Sequence, residues 1–255
     1  MIAAAWMGLA AALVLALATW AVSLAKRNAS IVDSVWSLMI LVCGLVYAAL
    51  LPPNGPLATW MLGLAALWAL RLSAYISWRN WGEPEDRRYR AIRERNEPGF
   101  AFKSVYLVFG LQAVLAWLVS APLLGARMVS EPVMWLGATG CALAAYGIGF
   151  EALADWQVAR WRRTRPGSDG VLDRGLWRYS RHPNYFGEFC VWWGLGIAAL
   201  AVGAWWALVS PLLMTVLLLR VSGVKLLEQD LKARKPAYRM YAQRTNAFFP
   251  WWPKP

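Results

Sequence analysis

The sequence predicts an all-α polytopic membrane protein with seven transmembrane helices, its N-terminus outside and its C-terminus in the cytoplasm. Three observations predict it. The 255 residues are 59% hydrophobic with a mean hydropathy of +0.41, and their apolar runs are too long and unbroken for a soluble domain. Seven of those runs approach the roughly 20 residues a helix needs to cross the hydrocarbon core. The basic residues collect in alternate connections, as the cytoplasmic bias of Lys and Arg requires of an odd number of crossings.

The runs are 2–25, 31–51, 57–76, 104–124, 133–154, 185–202 and 204–223. The first has no charged stretch before it and no small-residue cleavage site, so it reads as a retained helix rather than a signal peptide. Lys26 and Arg27 come directly after it, and the next connection, 52–56, has no basic residue. The connection 77–103 carries Arg79, Arg87, Arg88, Arg90, Arg93, Arg95 and Lys103, whereas the one after it carries only Arg127. Basic residues return in 155–184, are absent around Gly203, and return again after Gly223. The stretch 189–219 is a single apolar run of about 46 Å as a helix, too long for one crossing, and Gly203 is its natural break.

The formal charge of +12 would suggest nucleic acid in a soluble protein. Here it is distributed as membrane topology, and no nucleic-acid partner is expected. Cys43, Cys141 and Cys190 fall in separate spans without metal-ligand spacing, so neither disulfide nor metal is expected. Many of the 18 Trp, such as Trp251 and Trp252, fall where interfacial belts belong. A single membrane domain, 1–255, is expected, without internal repeat or long linker and as a monomer. Its polar mass lies in 81–97, read as a surface helix or loop; in 161–184, with turn signals at Pro166-Gly167, Asp169-Gly170 and Arg174-Gly175; and in 225–241. That last segment reads as an amphipathic helix with Leu226, Leu227 and Leu231 on one face.

Ionisable groups in or beside spans mark candidate function, because burying them costs several kcal/mol unless they are paired or solvated. Asp33 opens the second span, and the plain alternative for it is a helix N-cap. Arg71, Tyr75 and Arg79 share one helix face, with snorkelling of the arginines as the alternative. Glu151 and Asp155 end the fifth span, where carboxylates oppose the helix dipole. Glu188 lies one turn into the sixth span, just after the only histidine, His182.

The richest stretch, 176–188, reads Leu-Trp-Arg-Tyr-Ser-Arg-His-Pro-Asn-Tyr-Phe-Gly-Glu. It is a basic, aromatic segment entering a helix, with Pro183 stopping the incoming structure and Asn184 able to cap the new helix. A helix N-terminus favours an anion. Arg178 and Arg181, with Arg160, Arg162, Arg163 and Arg165 upstream, are the residue type that holds phosphates bidentately. Tyr179 and Tyr185 can stack on a purine or nicotinamide ring. This constellation suits a nucleotide cofactor, and the alternative is a basic loop lying on anionic lipid.

The run Arg-His-Pro-Asn-Tyr-Phe-Gly-Glu resembles the signature of the steroid 5-alpha-reductase family, especially its bacterial branch. Related forms occur in sterol reductases and, as Arg-His-Pro-x-Tyr-x-Gly, in isoprenylcysteine carboxyl methyltransferases. Asp33-Ser34-Val35-Trp36-Ser37, Arg71-Leu72 with Tyr75, and the tail ending in Phe248-Phe249-Pro250 extend the resemblance over most of the chain. The resemblance implies an NADPH-dependent reduction in which hydride passes to the β-carbon of an α,β-unsaturated ketone such as a 3-oxo-4-ene steroid. By it, residues 1–124 form the lipid-substrate side and 133–255 the cofactor side, in a bacterial inner membrane with the active site facing the cytoplasm.

Carried over by position, Asn184 and Glu188 match the motif Asn and Glu, the Asn being a cofactor contact. Tyr75 matches a Tyr near the nicotinamide, and Arg162 a phosphate- or ribose-binding Arg. Arg79, Arg165, Tyr179, Arg181, His182 and Tyr185 complete the expected cofactor set, while Asp33, Trp36 and Trp68 fall to the substrate. Eukaryotic members grip the ketone with a Gln-Glu pair and a Tyr; here Asp33 is the nearest acid and Trp68 takes the Tyr position.

Hydride addition creates an enolate, so the oxygen needs a preorganised hydrogen-bond donor. Asp33 and Glu188 can donate only if protonated, which an apolar site favours, whereas Tyr75 donates without any shift. No Gly-x-Gly-x-x-Gly motif is placed after a strand, so a Rossmann domain is not expected. Two other readings stay open: a methyltransferase using S-adenosylmethionine on a prenylated or lipid substrate, and a non-enzymatic transporter or assembly protein. For the last, mid-membrane broken helices and paired charges are the mark.

Overall fold

Small residues decide how the early helices pack. On α1 (Ile2–Lys26) the buried positions are Ala4, Gly8, Ala12, Ala16, Thr19 and Ser23, a stripe at helical spacing, while Trp6, Met7, Val14, Leu17 and Val22 are exposed. This inverts a soluble protein. With lipid outside, apolar side chains gain nothing by facing inward, and close backbone approach over small residues holds the helices together. On α2 (Ile31–Leu50), Tyr47 fills the notch at Gly8, where an added Cβ would lie 2.5 Å from its ring. The Tyr47 and Ser120 hydroxyls pair at 2.9 Å, and the Cys43 thiol donates to the Gly8 carbonyl at 3.3 Å. On α3 (Gly55–Arg79), Ser73 donates to the Ser34 carbonyl at 2.6 Å, and Ser37 of α2 donates to the Ala69 carbonyl at 2.9 Å.

The computed structural model describes residues 1–52, 55–128, 131–165, 170–221, 228 and 236–254. Among them there are helices and turns but no strand. The chain divides into two units, Met1–Gly137 with Ala198–Val209, and Ala138–Ile197 with Ser210–Pro255.

The first unit contains α1 to α3, then α4 (Arg87–Asn96), α5 (Phe100–Val119, π-helical over Val105–Gly110) and α6 (Ala121–Gly125). The surface segment expected at 81–97 is therefore mostly helix, started by Asp86, whose side chain accepts from the Arg88 amide. In the second unit, α7 (Met134–Thr164) crosses α8 (Pro183–Leu200) with their backbones in contact. A Cβ on Gly147 would lie 2.6 Å from the Gly187 carbonyl oxygen, and one on Gly194 would lie 2.4 Å from the Ala144 amide nitrogen. The chain continues through α9 (Val209–Val216), a π-helical turn Leu217–Val221 and α10 (Pro236–Arg244).

Among the described residues, five helices are long and apolar enough to cross a membrane: α1, α2, α3, α5 and α7. The two remaining predicted spans correspond to α8, which carries Asn184 and Glu188 in its first turns, and to the shorter apolar stretch Trp205–Arg220. Neither is among the five. The polar residues at the start of α8 take up length that apolar ones would need. The break at Gly203 is present, with a φ of +78° that glycine adopts without strain. At 31 residues α7 is about 46 Å long, more than a bilayer core, which puts Arg160, Arg162 and Arg163 beyond its apolar part. The helix expected over 225–241 is seen as Glu228 and α10. Leu226, Leu227 and Leu231 lie outside the described residues, as do Pro166, Gly167 and Asp169.

Candidate functional site

The candidate residues fall into two clusters, one in each unit. In the first, Asp33 is the third residue of α2, after Ser30 at the N-cap position, so it is not the cap. Its carboxylate accepts from two neighbours on α4: Arg88 Nη2 at 2.8 Å and the Tyr89 hydroxyl. Arg88 also donates through Nε to Asp86 at 3.0 Å. A parallel staple lies beside it, where Glu85 accepts from the Ala29 amide at 2.7 Å and from Arg93 at 2.8 and 3.0 Å. Arg93 in turn lies 4.5 Å over the Phe100 ring.

These partners set the electrostatics. Burial pushes Asp86 up, but the hydrogen bonds and charge of Arg88 more than offset it and hold the carboxyl below its usual range. Glu85 is held low in the same way by Arg93. Burial, reinforced by the neighbouring charge of Asp33, pushes the Tyr89 hydroxyl well up. Asp33 is therefore engaged with α4 through two donors at once, Arg88 and Tyr89.

Tyr75 is half-buried, with Trp78 at 6.0 Å and the Arg79 guanidinium 5.9 Å over its ring, so the helix-face spacing of 75 and 79 is realised as a contact. Arg79 itself is exposed and donates to Asn80. Trp36 is half-buried, and its indole nitrogen finds no hydrogen-bond partner among the described residues. Trp68 is fully buried. Near Asp33 the unit holds a cavity of about 650 Å³, walled by Thr19, Lys26, Ser34, Ser77, Asn80 and Glu83 among others. Asp33, Trp36, Trp68 and Tyr75 do not line it. The wall mixes small polar, apolar and charged side chains from α1, α2, the end of α3 and the connection after it, and no sequence pattern marks them.

In the second unit α8 begins at Pro183, which suits a first helical position because it has no amide hydrogen to leave unpaired. His182 thus occupies the N-cap position, its carbonyl accepting from the Phe186 amide, and Asn184 lies half-buried in the first turn rather than capping it. The His182 ring stacks on Tyr185 at 5.5 Å and 4°, and its Nε2 lies 3.4 Å from Glu228 without a hydrogen bond among the described residues. Glu188, Glu151 and Asp155 are all buried, and the close approach at Gly187 brings the α8 backbone against Glu151.

Arg181 takes a role the sequence does not suggest. Its guanidinium donates to Glu228 at 2.6 Å, to the Ala242 carbonyl at 2.8 Å and to the Thr245 carbonyl at 2.5 Å. Its donors are spent on the chain's own C-terminal region rather than presented to a ligand.

The whole segment 177–182 is clasped in the same way. The Arg181 amide donates to the Asn246 carbonyl at 2.9 Å, the Trp251 amide to the Tyr179 carbonyl at 3.0 Å, and the Ser180 hydroxyl to the Phe248 carbonyl at 2.7 Å. Tyr241 donates to the carbonyls of Trp177 and Ser180, and burial pushes its hydroxyl well up. Tyr179 meets Trp252 edge-on at 5.5 Å. The tail's Phe248 and Phe249 pack on Phe186 and Phe189. Arg162 and Arg165 are exposed at and just beyond the end of α7.

No curated protein and no solved structure matches this sequence. A family described as "Protein of unknown function (DUF1295)" does match, over residues 19–245, and since that is most of the chain, the protein belongs to the DUF1295 family.

Proposed function

We propose that this protein is an NADPH-dependent membrane reductase acting on the C=C bond of an α,β-unsaturated 3-oxo steroid or similar lipid enone. The observation that carries the reading is the Arg181–Glu188 motif, whose resemblance to steroid 5-alpha-reductases is joined by a rigid local setting. A clasped loop leads into an 18-residue helix with Asn184 half-buried in its first turn. The proposal includes seven crossings, with α8 and Trp205–Arg220 supplying the last two. It also includes a cytoplasmic C-terminus and a bacterial inner membrane.

The residues of the second unit fit a dinucleotide in several respects. The N-terminal amides of α8 favour an anion. His182 Nε2 is buried and makes no hydrogen bond among the described residues. Arg162 and Arg165 are exposed for phosphate contact. Arg181 does not fit as a ligand contact, and its place in the cofactor set passes to positioning the loop.

Bound NADPH would supply the hydride for the enone's β-carbon. The remaining tasks belong to the chain. Asn184 and Tyr185 hold and orient, and Arg162 and Arg165 neutralise phosphate charge. A donor must meet the oxygen as it becomes an enolate. Of the three candidates, Tyr75 can donate as it stands. Glu188 is buried in the second turn of α8 and would donate only in its protonated form. Asp33 accepts from Arg88 and Tyr89, so on this reading it anchors α4 and leaves donation to Tyr75 or Glu188. The apolar early helices suit a lipid substrate, and the indole nitrogen of Trp36, without a hydrogen-bond partner among the described residues, suits contact with a substrate oxygen.

The test is NADPH oxidation by the purified protein in detergent, with and without progesterone. Steroid-dependent oxidation with a product heavier by two hydrogens is expected, and Asn184→Ala should weaken NADPH binding by about tenfold or more while the protein stays folded. Absence of both NADPH binding and turnover would reject the reading and direct attention to S-adenosylmethionine.

A further inference from the structure

The second unit contains a cavity of about 540 Å³ between residues 171–178 and the C-terminal segment. Its wall includes Arg178, Arg244 and Lys254, with Asp173 the one carboxylate among the lining residues. We infer that this cavity is a phosphate-binding site, with Arg178, Arg244 and Lys254 as its ligands.

Three facts support the assignment. First, the cavity is built by the clasp. Tyr241 donates to the Trp177 carbonyl, Thr245 donates through its hydroxyl to the Arg178 carbonyl at 3.3 Å, and the Lys254 amide donates to the Arg244 carbonyl at 2.8 Å. The backbones bearing the three cations are thus tied together, although Arg178 and Lys254 are far apart in sequence.

Second, none of the three cations is ion-paired with a carboxylate among the described residues, whereas neighbouring Arg181 is fully committed to Glu228 and two carbonyls. The three cations are exposed side chains lining one cavity, where they repel one another, and an anion bound there relieves that repulsion. Two of them are guanidinium groups, whose planar fork matches phosphate oxygens. Third, the volume exceeds that of a bare phosphate and suits a larger group carrying one. A nucleotide is one source, and this rests on the reductase reading. A phospholipid headgroup is the other, and the exposed Trp251 and Trp252 near Lys254 in the chain are of the residue type that favours a membrane interface.

The experiment titrates the full-length protein in a zwitterionic detergent with 2′,5′-ADP against adenosine, and with short-chain phosphatidylglycerol against diacylglycerol. Binding is followed calorimetrically. The expected result is that at least one phosphate-bearing ligand binds roughly tenfold or more tightly than its phosphate-free counterpart. The Arg178→Gln/Arg244→Gln/Lys254→Gln protein should lose that binding by about tenfold or more, and Arg244→Glu alone should do nearly the same. Preference for 2′,5′-ADP identifies the nucleotide source, and preference for phosphatidylglycerol the lipid. Binding of neither ligand, or equal binding by wild type and the Gln variant with unchanged helix content, overturns the site. The reductase reading is scored separately: a Gln variant that reduces the enone with an unaltered KM for NADPH and binds wild-type amounts of both ligands removes this cavity alone.

Discussion

The two clusters solve the same problem by different means. Asp33 and Arg181 are each an ionisable residue at the mouth of an apolar helix, and each is satisfied by a segment remote in sequence. For Asp33 the segment is α4, and the contact is an ion pair with partly exposed partners, 33% for the Arg88 side chain and 20% for that of Asp33. For Arg181 the segment is the C-terminal tail, and the contact is a buried pair, both side chains about one-tenth exposed, surrounded by hydrogen bonds to backbone carbonyls. Exposed ion pairs are screened by water and salt and are individually worth little. Buried ones are strongly destabilising to break, because the surviving partner is left charged in a poor solvent. The first cluster is therefore adjustable and the second is fixed, although both look alike as charged residues in sequence.

The sharpest way to break this contrast is Arg181→Ala. It removes the guanidinium from Glu228 and from the Ala242 and Thr245 carbonyls, and the expected cost is about 3–5 kcal/mol. Thermal unfolding in detergent should show a large fall in midpoint. Arg181→Lys should recover only part of it, since one ammonium cannot reproduce a planar fork reaching three acceptors. A near-normal midpoint for the alanine variant would mean the clasp is held by its backbone pairs and aromatic packing alone.

Asp33→Ala comes next. It removes one partner of a partly exposed pair and one hydrogen bond from Tyr89, so about 1 kcal/mol is expected, with the change diminished in high salt. A loss as large as that of Arg181→Ala would show that Asp33 is as fixed as Arg181 and would erase the difference between the units. If Asp33→Ala keeps its midpoint but abolishes steroid-dependent turnover, the carboxylate belongs to the chemistry after all.

Much of the fold was legible because apolar periodicity and charge bias act locally. The starts of α1 and α2 and the break at Gly203 fall where composition places them. The candidate residues were legible as residue types, but their tasks were not. Arg181 reads as a phosphate ligand because the carbonyls that occupy it lie more than sixty residues away and belong to an aromatic, weakly patterned tail. Tyr89 and Arg88 read as part of a charged surface run because nothing local announces that α4 returns to Asp33. Asn184 reads as a cap because capping preference favours Asn, but Pro183 already satisfies the first helical position and shifts the start by two residues.

The smallest effect is the most diagnostic of the adjustable cluster. Asp86 and Glu85 both have folded-state pKa values held below normal by their arginines. A depressed carboxyl contributes stability that is present above its unfolded pKa and is lost as pH falls through its folded value. The share of the hold on α4 that Asp86 and Glu85 supply should therefore be present at neutral pH and fade below about pH 4. A spin label on Glu94→Cys, at an exposed position of α4, should become more mobile in that window, and high salt should enhance the change. The same label on Gln243→Cys reports on the clasp, where the carbonyls of Ala242, Thr245, Asn246 and Phe248 do not titrate, so its mobility should change less. Equal mobilisation at both positions would mean that the clasp, too, depends on a carboxylate, and Glu228 is the group through which acid would reach it.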